Sequence, residues 1–369
     1  VNLLLASRGD IDNPLNWSGT PYNLHRHFAN VQGIDVTSLN WQIDKSVLRF
    51  YHVVLGRLMF IYGTARDPFL SAFCERRIER EISRLKLMPD FVLFISDYSL
   101  PQNIAGKTCY AAYFDSFLGL HMRYFDSDRL GMDFFRKHYE AKNKEALDRM
   151  TLIFTQNEWT RQCLLHEYRL LPEKVHNVGF GINANPFTGE KDYDDELLLI
   201  VLRKGTEKYK GLLLLLDAFK ILRQRRHNAK LAVVGTQLDD RPDGVTYYFK
   251  QPRSVTLELF RRASLYVMPA LSEPNGITYL EALANKTPIV GLNRFAVPEF
   301  SGYGKWGFMI DHEDHEELAE VLDMALSNKL LLKEMGVMGQ SFVMDRYRWD
   351  MVTNKMLDQM NKKLDQKNI

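Results

Sequence analysis

The chain is poor in cysteine. Cys74, Cys109 and Cys163 are the three in 369 residues, odd in number, widely spaced and in no Cys-x-x-Cys arrangement. That excludes a disulfide framework, argues against a cysteine-held zinc site and points to a reducing, cytoplasmic setting. No stretch approaches the roughly 18 apolar residues needed to span a bilayer. The opening run VNLLLAS lacks the length and basic flank of a secretory signal and reads as a first buried strand. An excess of one charge is also missing: 48 basic and 46 acidic residues leave a formal +2, with 22 and 20 of them before Asn183 and 26 of each from there on. Neither half has the footprint of a nucleic-acid binder. Repeats, low-complexity tracts and long heptads are absent too, which weighs against a scaffold role. What remains is an ordinary globular composition, 46% hydrophobic and 25% charged, at a length that suggests about two domains.

The most informative stretch is 264–293, SLYVMPALSEPNGITYLEALANKTPIVGLN. A strand-like run over 265–271 meets the breaker cluster Ser-Glu-Pro-Asn-Gly; a helix opens at about Gly276, and a second strand follows at 288–292. At such a helix start the N–H groups of Asn275, Gly276 and Ile277 have no intrahelical partner and the dipole favours negative charge, so a phosphate fits there. Glu273 lies at the mouth of the loop and Glu281 eight positions later, inside the helix. Two carboxylates beside a phosphate pocket repel the phosphate, and their natural partners are sugar hydroxyls. The inferred ligand is a sugar joined to a phosphate.

Glu273-Pro-Asn-Gly-Ile-Thr-Tyr-Leu-Glu281 resembles the E-x7-E signature of retaining, nucleotide-sugar-dependent glycosyltransferases of the large family 4 group. The resemblance implies an α/β fold of two Rossmann-like domains facing each other across a cleft (GT-B), with a C-terminal helix crossing back to the first. It places an acceptor-binding domain at 1–185, a donor-binding domain at 186–345 and the returning helix at 346–369. The segment GFGINANP is similar to the family's domain junction, and the acidic run at 192–196 reads as an exposed linker.

In the first half, Trp17-Ser18-Gly19-Thr20 sits between a strand and a helix, where open α/β sheets bind ligands. On position alone this is an ordinary turn; in the resemblance, Gly19 and Thr20 match the first loop that closes over the donor phosphates, with one glycine where the family often has two. Strands IDVTSLN, DFVLFIS and TCYAAYF are expected next, the last two ending at Asp97 and Asp115. Asp115 stands where the family has a His or Asp facing the reacting sugar, and its residue type also suits a helix N-cap. His121 and Arg123 follow at helical spacing that also fits a surface face. The interleaved Arg and Glu of 68–87 read as a solvated helix face. Residues 152–155, a helix from about Asn157 and VHNVGF complete a βαβ pattern.

The second half opens with a strand at 197–202 running into the basic loop Arg203, Lys204, Lys208 and Lys210. Arginine grips phosphate through a planar fork and lysine adds a compact charge. By resemblance, Arg203 and Lys210-Gly211 match the pair that neutralises the departing diphosphate, with Lys204 or Lys208 as stand-ins for Lys210. A strand at 230–236 ends in Gly235, a neighbour of the nucleotide. The segments 295–299 and 301–307 are similar to the family's next loop, and Trp349, Val352, Met356, Leu357 and Met360 form an apolar stripe on the last helix. The triplets Asp10-Ile-Asp12 and Asp126-Ser-Asp128 resemble the metal-holding pattern of another glycosyltransferase fold, but so short a pattern is common by chance, and no metal is expected.

The expectation is therefore transfer of a hexose from a UDP- or GDP-linked sugar to an acceptor hydroxyl in glycan, polysaccharide or glycolipid synthesis, without metal and with retention. In it Arg203, Lys210 and the helix start hold the diphosphate, Glu273 orients the sugar and Glu281 the ribose. A nucleotide-sugar 2-epimerase and a non-catalytic nucleotide-sugar-binding partner are the alternatives. Contact with the inner face of a membrane stays open, since many similar enzymes act on lipid-linked acceptors.

Overall fold

The computed structural model describes residues 1–42, 68–85, 88–96, 108–124, 133–183 and 185–367; Asp97, Asp126 and Asp128 lie outside them. Two compact units divide the chain, one formed by Val1–Gly181 with Trp349–Ile369 and the other by Ile182–Arg348.

In the first unit, β1 (Asn2–Ser7), β2 (Asp35–Asn40), β3 (Phe91–Ile95), β4 (Cys109–Phe114), β5 (Leu152–Thr155) and β6 (Val175–Asn177) form one parallel sheet in the order β2-β1-β3-β4-β5-β6. The central strands are nearly continuous apolar runs because both faces are covered, as parallel sheets require. Every residue of β3 is buried. Around the sheet run α1 (Thr20–Ala29), α2 (Pro68–Ser83), α3 (Leu118–Tyr124), α4 (Asp133–Arg149) and α5 (Glu158–His166). α5 starts where the pattern places it: the Asn157 side chain accepts from Thr160 N–H at 2.8 Å. Cys109 and Cys163 are buried thiols, and burial pushes Cys163 up to about 12.

The second unit alternates strand and helix: β7 (Leu197–Val201), α6 (Leu212–Arg225), β8 (Lys230–Val234), β9 (Val245–Tyr248), α7 (Arg253–Arg262), β10 (Leu265–Val267), α8 (Ile277–Ala284), β11 (Ile289–Leu292), α9 (Val297–Phe300), β12 (Gly307–Ile310), α10 (His315–Ser327) and α11 (Lys329–Arg346). Its parallel sheet has the order β12-β11-β10-β7-β8-β9. This is the doubly wound Rossmann order, and it reverses between β7 and β10, so the crevice lies at the carboxyl ends of those two strands. One strand is shorter than expected. β10 stops at Val267 rather than running to Leu271, because Pro269 has no N–H for a ladder and Ala270 N–H turns back onto the Met268 carbonyl at 2.8 Å. The last helix, α12 (Trp349–Lys367), belongs to the first unit, where Trp349 lies against Gly181 so closely that a Cβ there would meet the indole at 2.2 Å.

The acidic run at 192–196 is not an exposed linker. Tyr193 is buried and its hydroxyl donates to the Lys286 carbonyl at 2.6 Å; Asp195 pairs with Lys230 and Arg262, and Glu196 with Arg226. Just before it, Lys191 donates to the carbonyls of Phe260 (2.8 Å) and Asn285 (3.1 Å) and to Thr287 Oγ1 (2.6 Å). Three acceptors match its three donors. Burial, with Lys286 nearby, still pushes the ammonium well below the ordinary lysine value of 10.5. A cation whose folded pKa is depressed binds its proton more weakly in the folded chain, so stability rises with pH from the depressed value up to 10.5. Chemical denaturation across that window is expected to show the rise in the wild type and a smaller one in Lys191→Met.

Candidate active site

The site is built at the reversal point of the second sheet, from the loop after β7 and the loop after β10. The first loop folds on itself: Arg203 O accepts from Thr206 N–H at 3.0 Å and Thr206 Oγ1 at 2.6 Å, and Leu212 N–H reaches Glu207 O at 2.9 Å. The Glu207 carboxylate accepts from Gly205 N–H at 3.0 Å and from the buried Thr236 hydroxyl. Burial alone would raise this carboxyl, but the Thr236 hydroxyl, the N–H groups of Glu207 and Gly205 and the charge of Lys204 hold it below the ordinary range.

Gly211, at φ 74°, is the N-cap of α6, and a Cβ on it would lie 2.0 Å from the Pro269 carbonyl oxygen. This close approach needs glycine on both counts. It docks the first loop on the second, where Leu271 and Ser272 N–H donate to Tyr209 O at 2.8 and 3.2 Å. The Lys210 ammonium is thereby brought onto the Glu273 carboxylate, both side chains about four-fifths buried at 20% and 18% exposure. Of the basic residues in the loop, Lys210 is the one this packing aims at Glu273. Lys204 instead lies over the Phe249 ring, 5.6 Å from its centroid, while Arg203 and Lys208 are exposed and have no acidic partner among the described residues.

Gly276, at φ 80°, caps α8; a Cβ there would meet the Tyr279 ring at 2.6 Å. The N–H groups of Gly276 and Ile277 meet no acceptor among the described residues, and Asn275 is buried beside them. Tyr279 and Tyr266 anchor the helix to the end of β10, the first donating to the Met268 carbonyl and the second to Thr278 Oγ1 at 2.6 Å. Glu281, 5% exposed, carries Arg253 Nη2 on its Oε1 at 2.5 Å. Arg253 opens α7, and nothing in the sequence pattern of that helix singled it out. Gly235 sits at φ 95° where β8 ends; a Cβ would lie 1.9 Å from Leu202 O, so glycine lets the exits of β7 and β8 run side by side next to Arg203.

The remaining candidates belong to the first unit. Gly19 is the N-cap of α1 at φ 79°, and Trp17 and Ser18 before it also have positive φ, a strained turn for two residues with side chains. Thr20 is buried. Asp115 follows β4; its carboxylate accepts from Ser116 N–H at 2.8 Å, ahead of α3, and its carbonyl accepts from Thr160 Oγ1 at 2.5 Å and Asn157 Nδ2 at 3.2 Å. Arg123 joins a surface network with Glu167 (2.8 Å) and the Tyr168 ring, and the side chain of His121 lies outside the described residues. In the triplet Asp10-Ile-Asp12, Asp10 Oδ1 accepts from Asp12 N–H at 3.0 Å, a local turn.

The family described as glycosyl transferases group 1 matches residues 183–341, which contain both loops. Among curated relatives, this chain is similar to the mannosylfructose-phosphate synthase of Agrobacterium fabrum, 24% identical over 53% of the chain and 49% of that protein. It is also similar to a GDP-mannose-dependent α-(1-6)-phosphatidylinositol monomannoside mannosyltransferase of Mycobacterium tuberculosis, 27% identical over 26% of the chain and 27% of that protein. The chain thus spans about half or less of the length of these curated relatives. The solved sucrose-phosphate synthase of Thermosynechococcus elongatus shares the fold, with a TM-score of 0.71 at 15% identity over 98% of this chain and 99% of that one. The neighbour and the two sheets establish the GT-B architecture.

Since Gly211 docks the two loops on one another, Gly211→Ala is expected to lower stability by about 1–3 kcal/mol through overpacking and backbone strain. Denaturant unfolding measures this. A variant as stable as the wild type would mean that the Gly211–Pro269 approach is not a constraint.

Proposed function

We propose that this chain is a metal-independent, retaining glycosyltransferase that moves a hexosyl group from a UDP- or GDP-linked sugar to an acceptor hydroxyl of a glycan, polysaccharide or glycolipid. The observation that carries the reading is the Lys210–Glu273 pair held at the reversal of a doubly wound sheet, beside the N–H groups of Gly276 and Ile277, which meet no acceptor among the described residues. A cation, an acid and a helix start at one spot suit a ligand that is anionic at one end and hydroxylated at the other.

In this mechanism the bond from the anomeric carbon to the diphosphate oxygen breaks, and a bond from that carbon to the acceptor oxygen forms on the same face. The acceptor's proton passes to the departing phosphate oxygen. Arg203, Lys210 and the N–H groups of Asn275, Gly276 and Ile277 stabilise the charge that develops on the leaving diphosphate. Lys210 exchanges Glu273 for phosphate, which releases the Glu273 carboxylate to orient the sugar hydroxyls. Glu281 accepts from the ribose, Gly235 keeps the nucleotide's approach open next to Arg203, and Gly19, Thr20 and Asp115 serve the sugar and the acceptor. A mannosyltransferase relative that uses GDP-mannose, and a synthase relative that makes a phosphorylated disaccharide, lend this donor chemistry support.

The test is thermal stabilisation by UDP, GDP, ADP and their sugars in the presence of EDTA. One base is expected to stabilise the wild type, with the shift lost in Glu281→Ala. Stabilisation by none would sink the donor reading. In Glu273→Gln, freed Lys210 is expected to leave diphosphate affinity equal to or tighter than wild type, while turnover falls on the order of a hundredfold. A variant that loses affinity and keeps turnover would place Glu273 in binding alone.

A further inference from the structure

Glu281 and Arg253 are an unequal pair. The carboxylate is 5% exposed, whereas the arginine side chain is 56% exposed and stands at the first position of α7, after Pro252. A carboxylate at that depth is costly unless a counter-charge offsets its desolvation. Its place in the last turns of α8, toward the negative end of the helix dipole, adds to the cost. Asn285 Nδ2 bonds the Glu281 carbonyl rather than its carboxylate, so Arg253 supplies the offset.

The pair also leaves defined positions open. Arg253 reaches Oε1 at 2.5 Å, while Oε2 has no donor among the described residues. The other N–H groups of Arg253 likewise meet no acceptor among the described residues. One acceptor oxygen and several donors therefore lie side by side, one partly buried and the others open to solvent. Such an array matches two adjacent hydroxyls, each of which both donates and accepts.

We propose that Arg253 is a positioning residue that holds the Glu281 carboxylate in place and completes with it a reader of the ribose cis-diol, selecting ribonucleoside diphosphates over 2′-deoxy forms. This inference rests on the donor reading above. Glu281 Oε2 accepts from one hydroxyl and an Arg253 N–H donates to the other. A lysine there keeps the charge but loses the planar fork.

Isothermal titration of the full chain with UDP and GDP, and with their 2′-deoxy forms, tests it in wild type, Arg253→Ala, Arg253→Lys, Glu281→Gln and the double variant Arg253→Ala/Glu281→Gln. Thermal unfolding of each variant reports folding. The wild type is expected to favour its ribonucleotide by about tenfold or more, as loss of a hydrogen bond to a charged group implies. Arg253→Ala abolishes most of that preference, Arg253→Lys retains part of it, and Arg253→Ala adds little in the Glu281→Gln background. Wild-type discrimination that survives unchanged in Arg253→Ala and Arg253→Lys, or losses that simply add in the double variant, would overturn the inference and leave the donor reading standing. Absence of any nucleotide binding by the wild type overturns the donor reading and this inference with it.

Discussion

The close backbone approach of Gly211 to Pro269 is the constraint on which the rest of the candidate site depends. Two loops that emerge from neighbouring strands of a parallel sheet would ordinarily splay, since each leads into its own helix. Here the absence of a side chain at Gly211 lets them touch, and the Tyr209 carbonyl then takes two N–H donors of the opposite loop. Everything that looks chemical follows from that docking. Lys210 reaches Glu273, Glu207 stiffens the loop from behind through Thr236, and Gly276, where a Cβ would lie 3.3 Å from Glu273 Cγ, starts α8 next to that acid.

The ion pairs describe a candidate site that is neutralised by its own residues. Lys210 faces Glu273 and Arg253 faces Glu281, so neither partly buried acid is left without a cation. Isolated buried charges cost several kcal/mol, and pairing lets the site exist without ligand at tolerable stability. Arg203 and Lys208, exposed and without acidic partners among the described residues, give an approaching anion its first attraction. In the proposed function, charge near the surface collects the phosphate, and charge already paired inside is exchanged to hold it.

Much of this was legible in the sequence, for identifiable reasons. Strand and helix alternate with clear periodicity after residue 197, and Glu273, Gly276 and Glu281 fall within one strand-loop-helix unit, so local pattern alone placed them. Resemblance favours Lys210, with Lys204 and Lys208 as stand-ins, but residue type alone does not separate the three, because only the fold of the loop decides which lysine meets Glu273. Arg253 was invisible for a related reason: it lies 28 positions from its partner, at an exposed helix start where arginine is commonplace. The acidic run at 192–196 misled, since composition reports polarity and not the Tyr193, Lys230, Arg262 and Arg226 contacts that pin it down. The apolar pattern of 265–271 is longer than its strand because apolar residues continue past Pro269, where the ladder hydrogen bonds do not.

The central claim is that the loops 203–211 and 272–281 together form one donor site. Hydrogen exchange read by mass spectrometry, on the full chain with saturating UDP-sugar and, separately, GDP-sugar in EDTA, addresses it most directly. The account predicts slowed exchange in both loops with one of the two donors and little change in helix α10. Protection of neither loop, or of one without the other, would contradict it.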